Sequence, residues 1–118
     1  MLDRLFGDRR PDPAVAGRVP PGQYLTEKFP VLHYGSVPRV DLATWDFRVH
    51  GEVDSPLRFT WDEFQALPRK QVTTDIHCVT RWSKLDTHWE GVAIQTILEL
   101  AQVRPTATHV VGHAEQGY

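Results

Sequence analysis

The sequence has little cysteine, no long apolar run and almost no net charge, and each shortage excludes a class of protein. A single cysteine, Cys78, excludes an internal disulfide framework and any zinc or iron–sulfur site built from several cysteines of one chain. No apolar run approaches the roughly 18 residues that a membrane span needs. The formal charge of −2 provides no positive field for nucleic acid. Glycine-rich phosphate loops, G-x-S-x-G elbows and H-E-x-x-H motifs are absent from the sequence.

The overall composition is typical of one globular domain. The chain has 118 residues, of which 41% are hydrophobic and 24% are charged. Residues 1–21, rich in Pro, Arg and Asp, are expected to form a flexible leader before a domain over 22–118. Arg9 and Arg10 are adjacent, but no apolar segment of an export signal follows them. Together with the unpaired thiol of Cys78, this favours a cytoplasmic protein.

The pattern of apolar residues predicts an α+β domain with short strands and short helices. Trp45, Phe47 and Val49 alternate with polar residues, as in a half-buried strand. Thr60 and Glu63 form a capping-box pattern that predicts a helix ending before Pro68. In chain order, the predicted elements are strands at 45–49 and 57–59, a helix at 61–67, a strand at 69–76, a polar loop at 79–88, a helix at 92–101 and a strand at 109–112.

Cys78 stands at the end of a predicted strand, where loops on a rigid scaffold carry functional groups. Local sequence leaves three interpretations open: a small buried hydrophobe, a ligand of a metal or cofactor, or a nucleophilic or redox thiol. If His77, Arg81 and Lys84 are also close in space, their charges would favour thiolate over thiol.

Several segments taken together resemble the molybdopterin-binding domain of the sulfite oxidase family. They are HCVTRWS at 77–83, WEGV at 89–92 with the apolar helix after it, and, upstream, FPVLH at 29–33 and WDFRVHG at 45–51. The resemblance covers about residues 20–118 and is strongest to the small bacterial sulfite-oxidase-like oxidoreductases. It implies a mixed sheet with short helices in that family's fold, and we expect this fold to be incomplete at the C-terminus.

The resemblance also implies a cofactor, a reaction and a partner. Family members bind one molybdenum through the dithiolene of a single pyranopterin, and Cys78 matches their additional thiolate ligand. A soft, anionic sulfur suits such a metal. The implied reaction is the transfer of an oxygen atom to or from a small molecule, with an external haem or flavin protein as electron partner. This chain carries neither a C-x-x-C-H haem motif nor a flavin fingerprint.

Five further residues are candidates for the site. His33 matches the family's pterin-contacting histidine, and Tyr34 is its neighbour. Arg81 and Trp82 follow the ligand, Arg81 as a candidate catalytic residue and Trp82 as a candidate cofactor contact. His113 follows the last predicted strand and is a candidate cofactor contact. His77 should point to the opposite face of its strand from Cys78, which predicts a structural role for it.

Two departures from the family pattern bear on the substrate. Sulfite oxidases carry arginine where this chain has Val31, and an arginine pair where it has Trp82 and Ser83. Because an anion such as sulfite needs guanidinium groups to hold it, we expect a neutral oxide, such as a sulfoxide or N-oxide, as substrate. The alternatives are a truncated, non-catalytic α+β domain without cofactor and a single-cysteine thiol redox protein. We also expect the isolated chain to be unstable or oligomeric, because its last strand would be an exposed edge.

Overall fold

The structure, a computed structural model, describes residues 12–115. These residues form two compact units, one of residues 12–32 and 71–89 and one of residues 33–70 and 90–115. The elements confirm the predicted α+β class. In chain order they are a 3-10 turn at Ala16–Arg18, strands β1 (Tyr24–Leu25), β2 (Asp46–Val49) and β3 (Leu57–Thr60), helix α1 (Trp61–Gln65), strands β4 (Lys70–His77) and β5 (Trp82–Gly91), and helix α2 (Ile94–Ala101).

The first unit is built on a three-stranded mixed sheet in the order β1-β5-β4. Strand β1 runs parallel to β5, with Tyr24 opposite Trp82 and Leu25 opposite Ser83. Only residues 78–81 connect β4 to β5. A parallel pair needs a crossover of a dozen or more residues, so β4 and β5 form an antiparallel hairpin. The sheet therefore places the residue after β4, Cys78, at a hairpin end.

The prediction of a polar loop over 79–88 is wrong, because β5 occupies most of that range and is the central strand of its sheet. Ser83 and Thr87 are buried. Their hydroxyls donate hydrogen bonds to the Gln23 side chain and to the Thr74 carbonyl, and this allows polar residues inside a sheet. Asp86 adopts a left-handed backbone with φ of 52°, which interrupts the regular alternation of the strand.

Arg18 links the start of the described chain to the hairpin. Its Nη2 lies 2.6 Å from the Asp75 Oδ1 on β4 and 2.6 Å from the Asp86 Oδ1 on β5. The guanidinium lowers the pKa of the Asp75 carboxyl below its usual value, aided by the backbone amide of Asp86. The leader predicted over 1–21 stays a prediction: residues 1–11 lie outside the described part of the chain, and Arg18 makes these ion pairs.

The second unit contains the antiparallel β2–β3 hairpin, as the alternating pattern predicted. The Trp45 ring stacks with Phe47 at a centroid distance of 6.5 Å, and meets Trp61 of α1 edge-on at 5.3 Å. Phe64, one helical turn further, contacts both Trp45 and Phe47. Helix α2 contributes the apolar core of this unit through its buried residues Ile97 and Ala101.

Helix boundaries follow the sequence signals, with shorter helices than predicted. The capping box at Thr60 and Glu63 is present, but α1 ends at Gln65, and α2 begins at Ile94. Neither helix in residues 12–115 has the length and hydropathy of a membrane span.

The strand predicted at 109–112 is not formed. Val110 and Val111 remain largely exposed. An extended segment becomes a strand only when a neighbouring strand satisfies its backbone groups, and the sheets formed within residues 12–115 pair other segments.

Candidate functional site

Cys78 opens a tight turn at the end of the β4–β5 hairpin. Its backbone N–H donates to the Trp82 carbonyl at 2.9 Å, and its own carbonyl accepts from the Arg81 N–H at 3.0 Å. Arg81 has a left-handed backbone with φ of 74°. This is the geometry of a three-residue hairpin loop that ends in a left-handed residue. A non-glycine residue in that position stores backbone strain, a feature that clusters at functional sites.

The Cys78 thiol is half-buried, and the turn stabilises its charged form. The Thr80 hydroxyl lies 3.1 Å from the Sγ and donates to it. This bond is the largest cause of a lowered Cys78 pKa; the backbone amides of Thr80 and Val79 also lower the pKa, and burial opposes them. The turn therefore favours a thiolate, the form that binds metals and attacks electrophiles.

The cations that the sequence placed near Cys78 do not cause this shift. The causes of the lowered Cys78 pKa are hydrogen bonds from the turn itself. His77 directs its Nδ1 to the Ser83 hydroxyl at 2.8 Å. The Lys84 ammonium lies over the Phe29 ring, 5.5 Å from its centroid. The Cys78 pKa is thus lowered by one hydroxyl and two backbone amides, and not by the charges of His77 and Lys84.

The Cys78 peptide is also held from a distant part of the chain. The Gln23 side-chain amide donates to the Cys78 carbonyl at 2.8 Å. The Gln23 Oε1 accepts from the Ser83 hydroxyl at 2.7 Å, and Ser83 in turn contacts His77. Ser83 is fully buried. Sequence reasoning missed Gln23 and Thr80. Thr80 could have been found from its position two residues after the cysteine, but no local signal marks Gln23.

Trp82, the first residue of β5, is buried and packs edge-on against Phe29, with ring centroids 5.8 Å apart. Its indole Nε1 is buried and has no hydrogen-bond partner within residues 12–115. Arg81, by contrast, is exposed. Of the candidate site residues, Cys78, Arg81 and Trp82 are therefore brought together by the turn.

The other three candidates, His33, Tyr34 and His113, belong to the second unit. His33 contacts the Gly35 carbonyl through its Nδ1 at 2.8 Å, in a turn where Gly35 takes a φ of 70°. Tyr34 and His113 line one open cavity of about 800 Å³, together with Trp45. Their assignment as cofactor contacts stays a prediction.

Comparison with known proteins places the chain in a family. Residues 34–118 match the family of the oxidoreductase molybdopterin binding domain, so the chain belongs to that family. The chain is 46% identical, over 104 residues, to a Bacillus subtilis (strain 168) protein described as the uncharacterized oxidoreductase YuiH. That alignment covers 87% of this chain and 52% of the relative, so the chain spans about half the relative's length. No solved structure matches.

The chemistry of Cys78 fits the cofactor that this family implies. Within residues 12–115, no three His, Cys, Asp or Glu side chains gather as a metal site. A single cysteine sulfur, half-buried at a turn, suits a metal whose other ligands come from a pterin dithiolene. Cys78 would hold such a metal from the protein side.

Proposed function

We propose that this domain performs oxygen-atom transfer with a molybdenum–molybdopterin cofactor, with Cys78 as the protein ligand of the metal. The observation that carries the proposal is the turn around Cys78, which stabilises a thiolate through Thr80 and two amides. When bound, the cofactor supplies two-electron redox chemistry at the metal. The chain would supply the Cys78 sulfur, lower its pKa through the hydrogen bonds of the turn and orient it.

The proposed substrate is a small neutral oxide, such as a sulfoxide or an N-oxide, or a related sulfur or nitrogen compound. Binding an oxyanion such as sulfite requires arginines that can reach it. At two positions where sulfite oxidases carry such arginines, this chain has Trp82, 7% exposed, and Ser83, which is fully buried. Neither residue can offer a positive charge to a substrate. Arg81 is the exposed cation of the turn and would contact the bound molecule.

The remaining roles extend the same proposal. The proposed cofactor contacts are His33, Tyr34, Trp82 and His113. An external haem or flavin protein would exchange electrons with the metal. The free thiol of Cys78 favours the reducing cytoplasm, where it stays available for ligation.

Molybdenum content tests the proposal directly. The protein is purified from molybdate-supplied cells, and metal per chain is measured for the parent, for Cys78→Ala and for Gln95→Ala. Gln95 is an exposed residue of α2 and serves as the matched control. We expect about one molybdenum per chain in the parent and the control, and its loss in Cys78→Ala. Equal metal in Cys78→Ala would reject Cys78 as ligand.

A thiol redox protein is the second candidate, because the lowered Cys78 pKa also suits a reactive thiol. It predicts that the parent binds no molybdenum, and that its activity depends on reversible modification of Cys78. A metal-free parent whose Cys78 is oxidised and re-reduced by dithiothreitol would favour this second function over the first.

A further inference from the structure

The hydrogen bonds around the Cys78 carbonyl have only one consistent direction. A carbonyl oxygen accepts and cannot donate, so the Gln23 atom 2.8 Å from it must be the amide nitrogen. The other Gln23 atom is then the oxygen, an acceptor. The Ser83 hydroxyl, 2.7 Å from that oxygen, must therefore give it its single proton.

The position of the hydrogen on His77 follows from the bond between Ser83 and Gln23. Because the Ser83 hydroxyl donates its only proton to Gln23, its oxygen must accept a hydrogen bond from the His77 Nδ1, 2.8 Å away. Nδ1 therefore carries a hydrogen. When the His77 ring is neutral, its Nε2 carries none. The four groups form one hydrogen-bond chain, in which His77 donates to Ser83, Ser83 donates to Gln23, and Gln23 donates to the Cys78 carbonyl.

This chain of hydrogen bonds ends at the Cys78 peptide and restrains its position. Gln23 lies just before β1, 55 residues from Cys78, and Ser83 lies on β5 with no exposed surface. Ser83 is the buried member of this network, whereas Gln23 and Cys78 are half-buried and His77 is exposed. Losing Gln23 would leave the buried Ser83 hydroxyl without its acceptor and would leave the Cys78 carbonyl only the Arg81 N–H as donor, so the network favours one geometry. The link to Cys78 is made through its carbonyl, at the first residue of the strained turn.

We propose that Gln23 is a positioning residue for Cys78: its amide fixes the Cys78 carbonyl, and through Ser83 it fixes His77 with its proton on Nδ1. The position of the Cys78 peptide sets where the Sγ points and keeps it within reach of the Thr80 hydroxyl. This inference rests on the proposed function only in treating Cys78 as a metal ligand. The hydrogen-bond chain itself involves only residues of this protein.

The tautomer of His77 is measured by nitrogen-15 NMR on the histidine-labelled chain, at a pH where the ring is neutral. The His77 signals are assigned by their disappearance in His77→Gln. We expect the proton on Nδ1 in the parent, and a shift towards the Nε2-protonated form in Ser83→Ala. An Nε2-protonated His77 in the parent would overturn the inference, whatever the variants do.

The effect on Cys78 is measured as the rate of alkylation by iodoacetamide in metal-free protein. Gln23→Met keeps the length of the side chain and removes its donor, and Gln95→Met makes the same change on α2. We expect Gln23→Met to slow alkylation roughly threefold to tenfold at neutral pH, because the loosened turn no longer aims its donors at the Sγ. Gln95→Met should react like the parent.

The proposed function and the proposed role of Gln23 are rejected by different results. If Gln23→Met reacts like Gln95→Met, Gln23 does not position Cys78, and the metal assay on Cys78→Ala still decides the function. If Cys78→Ala retains molybdenum, the proposed ligand is wrong, and the tautomer and alkylation results still decide the inference. Circular dichroism checks that Gln23→Met is folded; if it is not, the His77 tautomer in the parent and in Ser83→Ala decides.

Discussion

The Thr80 hydroxyl donates a hydrogen bond to the Cys78 Sγ across 3.1 Å, within a turn of only a few residues. Because this bond is the largest cause of the lowered Cys78 pKa, its loss should return the thiol towards its ordinary behaviour. Thr80→Val removes the hydroxyl and keeps the shape. We expect iodoacetamide to alkylate this variant roughly threefold to tenfold more slowly at neutral pH, with the pH profile displaced to higher pH.

Thr80→Ser is the control for this prediction, since it retains the hydroxyl. It should keep the pH profile of the parent. A Thr80→Val profile that coincides with the parent profile would show that the two backbone amides alone stabilise the thiolate.

Because the Trp82 Nε1 has no partner within the described chain, we expect two substitutions of Trp82 to differ in their effect on the free energy of unfolding. Trp82→Phe removes a buried donor that has no partner within the described chain and keeps an aromatic ring against Phe29. We expect it to change the free energy of unfolding by less than about 1 kcal/mol. Trp82→Ala empties a buried site and should cost about 3–5 kcal/mol. Urea unfolding of both variants measures the difference, and equal losses would contradict a partnerless indole.

The ion pairs of Arg18 predict a dependence of stability on pH. Arg18 lowers the Asp75 pKa in the folded protein, so this carboxylate stabilises the fold above its unfolded-state pKa. The contribution is lost as pH falls through the lowered, folded-state value. Arg18→Gln should therefore be less stable than the parent near neutral pH, and the gap should narrow in acid below about pH 4.

Arg39→Gln is the matched control for Arg18, because Arg39 is an exposed arginine. It should follow the parent at every pH in urea unfolding. A gap between Arg18→Gln and the parent that stays constant into acid would show that Arg18 acts through packing rather than through Asp75.

The capping box of α1 predicts a modest local effect. The Thr60 hydroxyl accepts from the Glu63 N–H, and the Glu63 carboxylate accepts from the Thr60 N–H at 2.8 Å. Thr60→Ala should lower the free energy of unfolding by about 1 kcal/mol, because it exposes an unpaired helix amide. Thr60→Ser should be close to the parent in the same urea titration; a Thr60→Ala curve that overlays the parent would refute the cap's contribution.

Elements whose determinants are close in sequence could be predicted without the structure. The β2–β3 hairpin follows from the alternation around Phe47, and the start of α1 follows from Thr60 and Glu63. The family resemblance also came from short, ordered segments, and the family comparison confirms it. Cys78 stood out because it is unique and follows a strand. Its assignment as a ligand stays a prediction.

The sequence by itself determined the α+β class, the β2–β3 hairpin, the helix cap and the singular position of Cys78, because each depends on residues within a few positions of one another. Only the tertiary structure decided that 82–91 is a central strand, that Arg18 joins Asp75 across 57 residues and that Gln23 holds Cys78 across 55. The physical reason is that a polar residue looks the same in a loop and in a sheet. Its role depends on which distant partner satisfies its hydrogen bonds, and local sequence does not contain that partner.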